Sequence, residues 1–168
     1  LHVSYYDNAN GNLKYAYFNG SVWTNVTVDD SSTNVGLRTS ITTDSSNNPH
    51  VVYYDSSNDY MKYANFNGTD WEIETVRTNI SNTPWHSAID LDSNEDPHIT
   101  YYDYDANTSL HILMYEHYDQ GAWEFDAVAS SASTFRADMV LDSTDGVHLS
   151  YVYEEQPGVD VLMYSYLE

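Results

Sequence analysis

Hydrophobic and polar residues along this chain fall into short alternating runs of six or seven residues, separated by clusters of Asn, Asp, Ser and Gly. The clearest run is His50–Asp55, read H-V-V-Y-Y-D. It recurs at His2–Asp7 (H-V-S-Y-Y-D), at His98–Asp103 (H-I-T-Y-Y-D) and, in looser form, at His148–Tyr153 (H-L-S-Y-V-Y). The starts at 2, 50, 98 and 148 lie 48, 48 and 50 residues apart, a period characteristic of repeat architectures. Within His50–Asp55, Val51 and Tyr53 fall on one face of a strand and His50, Val52 and Tyr54 on the other. Both faces carry bulk. A sheet wetted on one side would show one polar face, so the pattern predicts sheets covered on both sides.

Three further runs complete each repeat. Thr39–Asp44, Ser87–Asp92 and Ala137–Asp142 lead through S-S-N-N-P, S-N-E-D-P and S-T-D-G turns into the His-headed run. Leu13–Phe18, Met61–Phe66, Leu113–Tyr118 and Leu162–Leu167 follow it. Asn19-Gly20, Asn67-Gly68 and Asp119-Gln120-Gly121 then turn the chain into Trp23–Val28, Trp71–Val76 and Trp123–Val128. Asn-Gly between two apolar runs is a strong hairpin signal. No stretch repeats its apolar residues at the helical period. The expectation is one all-β repeat domain over residues 1–168, built from about 3.5 four-stranded antiparallel repeats with units near 1–37, 38–85, 86–135 and 136–168. Radial four-stranded sheets are β-propellers, which close with about 4–8 blades, or roughly 190 residues at this period. The chain is therefore expected to be a partial propeller within something longer, or one member of an oligomeric ring. Its partners would be other copies of itself or neighbouring propeller repeats, because open strand edges invite pairing.

Composition narrows the partners. The net charge is −21, with five Lys and Arg against 26 Asp and Glu. Such a chain repels phosphate backbones and anionic membrane surfaces, which argues against nucleic acid. No apolar run approaches the length that spans a bilayer, so membrane insertion is not expected. Without cysteine, disulfides and thiolate metal sites are excluded. The sequence opens on Leu1 and reads as a processed or excised piece. Sequons stand at Asn19, Asn25, Asn67, Asn79 and Asn107.

Three sets of residues could carry chemistry. Arg38, His86 and Arg136 each precede the first strand of a unit, each behind a bulky residue: Leu37, Trp85 and Phe135. Arg38, Trp85, His86, Phe135 and Arg136 would ring the mouth of a propeller axis. An Arg fork binds a carboxylate bidentately, and the aromatic beside it could stack on a sugar, so an acidic glycan is one reading; salt bridges locking blades together are the other. Asp103, Asp105 and Asn107 alternate as calcium ligands do but lack the Gly and distal Glu of a full calcium loop; they are the candidates for the single cofactor considered, Ca²⁺. They lie beside Tyr104–Ser109, which with Glu154–Asp160 breaks the repeat and reads as a loop insertion. His2, His50, His98 and His148 suggest a repeated hydrogen bond between blades rather than a shared metal. No nucleophile–base pair, phosphate loop or zinc motif is present.

The corners F-N-G-S-V-W, F-N-G-T-D-W and Y-D-Q-G-A-W resemble the third-to-fourth strand corner of sialidase-type (Asp-box) propellers, without the Ser and first Asp of that box. The combination of Y-Y-D, L-K-Y and G-x-x-W resembles the repeats of fucose-binding six-bladed lectins. Those lectins place an Arg before the tyrosines and a Glu in the third strand; here these positions hold Val3, Val51 and Ile99, then Tyr15, Tyr63 and Tyr115. The resemblance implies a propeller fold without that fucose-recognition pair. The functional expectation is a non-catalytic scaffold or adhesion module, extracellular or on a cell surface, that binds a surface protein or a glycan. The alternatives are a lectin and, further off, a fragment of a sialidase-like glycosidase. The corner tryptophans Trp23, Trp71 and Trp123 are expected to be buried.

Overall fold

The computed structural model describes residues 1–80, 86–132, 136–156 and 158–167. Among them are fourteen strands in four antiparallel sheets of three, four, four and three strands. The chain divides into two compact units, Leu1–Ile80 and Ser81–Glu168.

In the first unit, β1 (His2–Asp7), β2 (Asn12–Phe18) and β3 (Trp23–Asp29) form blade 1. Blade 2 is β4 (Val35–Thr43), β5 (Pro49–Asp55), β6 (Tyr60–Phe66) and β7 (Trp71–Arg77). In the second unit, blade 3 is β8 (Ser87–Leu91), β9 (Pro97–Asp105), β10 (Leu110–Asp119) and β11 (Ala122–Ser131). Blade 4 is β12 (Arg136–Leu141), β13 (Val147–Gln156) and β14 (Val159–Leu167).

The abundant aspartates make the turns. Asp7 caps the first tight hairpin, accepting from the Ala9 amide at 3.1 Å and the Asn10 side chain at 2.7 Å. Asp55 does the same for Ser57 and Asn58. Asp44, Asp92 and Asp142 cap the hairpins into the His-headed strands through the amides of Asn48, Asp96 and Gly146. A carboxylate bonded to backbone amides stands in for a backbone turn, so part of the acidity is structural.

The two insertions expected as loops are longer hairpins. β9 runs on to Asp105 and β10 starts at Leu110, while Glu154 pairs with Asp160 across β13 and β14. Added residues extend an existing ladder at little cost, since each new pair satisfies backbone groups that a loop would leave to water.

Each blade has two faces. In blade 1, one face carries His2, Ser4, Tyr15 and Tyr17; the other carries Val3, Tyr5, Lys14, Ala16, Phe18 and Trp23. The first face packs on blade 2 through the latter's Val51, Tyr53, Ala64 and Trp71, around Leu13, Val28 and Val35. Gly36 permits this approach: at φ +103° its missing Cβ would stand 2.6 Å from the Leu13 Cα, so any side chain there would collide with backbone. Blades 3 and 4 pack through Ala88, Tyr115, Met139, Val147 and Leu149, and through Tyr102, Leu113 and Tyr151.

The expected burial of the tryptophans requires correction. Trp71 packs edge-on against Tyr15, 5.2 Å between ring centroids, and against Phe66. Trp123 is half-buried. Trp23 packs on Phe18 and is 48% exposed. Trp71 is covered by Tyr15 of the neighbouring blade as well as by Phe66 of its own sheet, whereas Trp23 has Phe18 of its own sheet and is left exposed.

Candidate functional site

The four strand-heading histidines share one geometry. His2 Nδ1 lies 2.6 Å from Tyr15 Oη, His50 Nδ1 2.5 Å from Tyr63 Oη, His98 Nδ1 2.6 Å from Tyr115 Oη and His148 Nδ1 2.7 Å from Tyr164 Oη. The bond these histidines share is thus one within each blade, from its second strand to its third, and His2 makes in addition the expected bond between blades, through Nε2 to Asn47 of blade 2. The signal for it was in the sequence: each partner is the Tyr of the L-K-Y, M-K-Y or L-M-Y run, on the same face of the sheet as the His.

In the first unit this pair opens onto a cleft of about 360 Å³ between blades 1 and 2. Blade 1 supplies His2, Tyr15, Tyr17, Thr24 and Val26; blade 2 supplies the Asn47–Pro49 turn, Phe66 and Trp71. His2 Nε2 reaches Asn47 Oδ1 at 3.2 Å. Because that oxygen can only accept, Nε2 carries the hydrogen and Nδ1 accepts from the Tyr15 hydroxyl. Burial lowers the His2 pKa from its ordinary value, against the Asn47 hydrogen bond, and the N-terminal charge adds to the lowering. Burial and the neighbouring Tyr17 raise that of Tyr15. At neutral pH the cleft is therefore uncharged, and its lining contains no carboxylate, Lys or Arg. It offers aromatic walls with a few polar groups at the rim.

The same two blades share a buried ion pair. Lys62 Nζ donates to Asp29 Oδ2 at 2.5 Å and to Ser31 Oγ at 3.1 Å, and Tyr53 Oη donates to Asp29 Oδ2 at 2.7 Å. Burial pushes the Asp29 carboxyl up, but Lys62, Ser31 and Tyr53 together hold it below its ordinary value. Burial beside Asp29 pushes the Tyr53 phenol far up. The network joins the two blades, Asp29 and Ser31 coming from blade 1 and the segment after it, Lys62 and Tyr53 from blade 2.

The residues singled out in the sequence stand elsewhere. Arg38 is exposed on β4 at a bulge, with φ +54°. His86 is exposed just before β8, and Arg136 is exposed at the start of β12 opposite Val152. Arg38 belongs to the first unit and the other two to the second. Trp85 and Phe135 lie outside the described residues. Asp103 and Asp105 sit two apart on β9, with Asn107 in the turn. Both Asp105 oxygens serve that turn, Oδ1 accepting from the Asn107 amide and Oδ2 from the Thr108 hydroxyl, each at 2.9 Å. Asp105 is therefore the turn-capping Asp of its repeat, displaced along the longer hairpin. Among the described residues no group of three or more His, Asp, Glu or Cys is gathered as a metal site, and no helix is long and apolar enough to cross a membrane.

No family model matches this chain, and no curated protein matches it in sequence. Solved structures do resemble it. A fucose lectin from Kordia zhangzhouensis, in complex with methyl-fucoside, aligns at a TM-score of 0.55 and 19% identity, over 76% of this chain and 91% of that one. AofleA from Arthrobotrys oligospora aligns at 0.67 and 12% identity, over 99% of this chain and 49% of that one. The intramolecular trans-sialidase from Ruminococcus gnavus aligns at 0.54 and 14%, over 90% of this chain and 35% of that one. The chain thus spans about half of the second and about a third of the third. All three are propeller-type folds, and this chain has the same type of fold, with no closed sheet among the described residues.

Proposed function

We propose that the protein is a non-catalytic carbohydrate-binding propeller module, secreted or displayed on a cell surface, where sugar recognition serves adhesion. The observation that carries this reading is the uncharged aromatic cleft between blades 1 and 2. Sites for small ligands are concave, largely apolar and orient their guest with a few polar groups. The apolar face of a pyranose suits Tyr17, Phe66 and Trp71, while Asn47, Asn48 and Thr24 supply hydrogen bonds to hydroxyls. The absence of a cation from the lining, in a chain of net charge −21, favours a neutral sugar over an acidic one. Hydrolysis of a glycoside ordinarily requires a pair of carboxylates across the bond, and this lining has none. The fold shared with two sugar-complexed or sialidase structures supports the class of ligand.

A glycan array of neutral and sialylated sugars tests the reading, followed by calorimetric titration of the best neutral binder. Tyr17→Ala and Trp71→Ala are expected to weaken it by about tenfold each. Arg38→Ala combined with Arg136→Ala leaves it unchanged. The opposite pattern, with sialylated glycans preferred and binding lost only in the arginine variant, would move the site to Arg38 and Arg136. Silence across the whole array would leave a protein-binding scaffold.

A further inference from the structure

Blades 1 and 4 each expose one face, and the two faces match the two sides of an interface already built inside the molecule. On blade 2, the face packed against blade 1 carries Val51, Tyr53, Lys62, Ala64, Phe66 and Trp71. At the same six repeat positions blade 1 carries Val3, Tyr5, Lys14, Ala16, Phe18 and Trp23, residue for residue identical. There Val3 is 38%, Tyr5 37% and Trp23 48% exposed, with Lys14, Ala16 and Phe18 half-buried, whereas Val51 and Tyr53 are fully buried.

The receiving side repeats as well. The face of blade 1 that accepts blade 2 is His2, Ser4, Tyr15 and Tyr17. Blade 4 has His148, Ser150, Tyr164 and Tyr166 at those positions, again identical. Blades 2 and 3 differ, with His50, Val52, Tyr63 and Asn65, then His98, Thr100, Tyr115 and His117. The His–Tyr bond is already set in blade 4, and His148 meets Tyr166 at 5.1 Å between centroids, the same separation as His2 and Tyr17. Yet Tyr164 is 61% and Tyr166 45% exposed. Leu162 stands where Leu13 stands, and is 73% exposed against none for Leu13. The opposite face of blade 4 is packed on blade 3.

We infer that the exposed face of blade 4 receives blade 1 of a second copy of this chain, in the geometry by which blade 1 receives blade 2. Trp23 of one copy then lies against Tyr164 of the other as Trp71 lies against Tyr15, and the joint forms a composite aromatic cleft from His148, Tyr164 and Tyr166 with Phe18 and Trp23. The surfaces differ from each other, so the contact is heterologous: it passes head to tail and generates closed rings or open chains rather than a two-fold dimer. Apolar aromatic surface left bare on both partners is what such a contact removes from water.

Complementation tests this independently of any sugar. By sedimentation velocity across a wide concentration range, the wild-type chain self-associates. Trp23→Ala and Tyr164→Ala each weaken association by roughly 30-fold or more, as loss of a central aromatic anchor does. Both side chains are exposed, so circular dichroism of each variant stays that of the wild type. An equimolar mixture of the two variants retains one intact joint, between blade 4 of the Trp23→Ala copy and blade 1 of the Tyr164→Ala copy, and sediments as a capped dimer. Val3→Lys mixed with Leu162→Lys repeats the result at the same faces. A wild-type chain that stays monomeric at every concentration, variants that associate like wild type, or mixtures that stay monomeric would each overturn the proposal.

Discussion

The blade 1–blade 2 joint and the blade 3–blade 4 joint are built from one repeat, yet they are held by different physics. In the first unit, the centre of the joint is polar: Asp29 from β3 accepts from Lys62 and Tyr53 across the blades. In the second unit Ala129 stands at the position of Asp29 and Met163 at that of Lys62, and the joint is sealed by Tyr102, Leu113, Leu149 and Tyr151. Its polar links move to the margin, where Asp145 accepts from the Ser93 amide at 2.8 Å and its hydroxyl at 2.6 Å, and Asp90 accepts from the Leu141 amide at 2.9 Å. The His–Tyr pair diverges too. His2 and Tyr15 line a cleft, while His98 is buried and stacked on His117, 5.5 Å between centroids. A repeat therefore fixes backbone register and leaves each joint free to be polar or apolar, open or filled.

The largest effect should come from breaking the polar joint on one side only. Lys62→Met leaves the buried Asp29 carboxylate without its cation, and is expected to cost about 3–5 kcal/mol. The paired change Asp29→Ala with Lys62→Met copies the second unit's solution. It should recover most of that loss, less about 1 kcal/mol for the Tyr53 hydroxyl deprived of its acceptor. Urea denaturation of the two variants decides the matter; equal losses would mean that the pair is not coupled.

A smaller contrast lies between two tryptophans at one repeat position. Trp71→Ala removes packing on Tyr15 and Phe66 and should cost roughly 2 kcal/mol, below the ~3–5 of a fully buried Trp. Trp23→Ala in monomeric conditions should cost less than about 1 kcal/mol. Thermal melts at low protein concentration would show the difference, and a reversal of the order would mean that Trp23 is covered.

Strand positions, the four-stranded meander and the two-faced blades were legible because period-2 alternation and Asn-Gly corners are local signals. Which corner Trp would be buried was not, because coverage depends on the neighbouring blade. The His-headed runs pointed to a repeated hydrogen bond, but the spacing alone did not say that Tyr15, Tyr63, Tyr115 and Tyr164 receive it. Asp103, Asp105 and Asn107 looked like ligands because turn caps and cation sites use the same oxygens. The cleft was invisible in sequence for a different reason: His2, Tyr17, Asn47 and Trp71 come together only when two sheets pack face to face.

The smallest effect concerns pH and separates the two histidine environments. His98 is pushed below its ordinary pKa first by burial and then by His117, with Asp92, Asp145 and Asp90 pulling the other way. A histidine whose folded pKa is lowered stabilises the fold above its unfolded value of 6.5, because below that pH the unfolded chain binds a proton that the folded chain refuses. The contribution is full above pH 6.5 and fades as the pH falls toward the folded pKa. His2 acts in the same direction. The carboxylates Asp29 and Asp44, also lowered, act in a separate window below their ordinary 3.8. Acidification has an opposing effect, since protonating other carboxylates relieves the repulsion within a chain of net charge −21. The raw melting temperature therefore mixes the two, and the informative quantity is the difference between wild type and His98→Gln, which keeps an acceptor for the Tyr115 hydroxyl. That difference should be smaller at pH 5 than at pH 7, because only the wild type loses stability through His98 on the way down. The same comparison for His2→Gln should change less, as His2 sits at the rim of the cleft. A His98 difference that is flat from pH 7 to pH 5 would show that His98 titrates as it does in the unfolded chain.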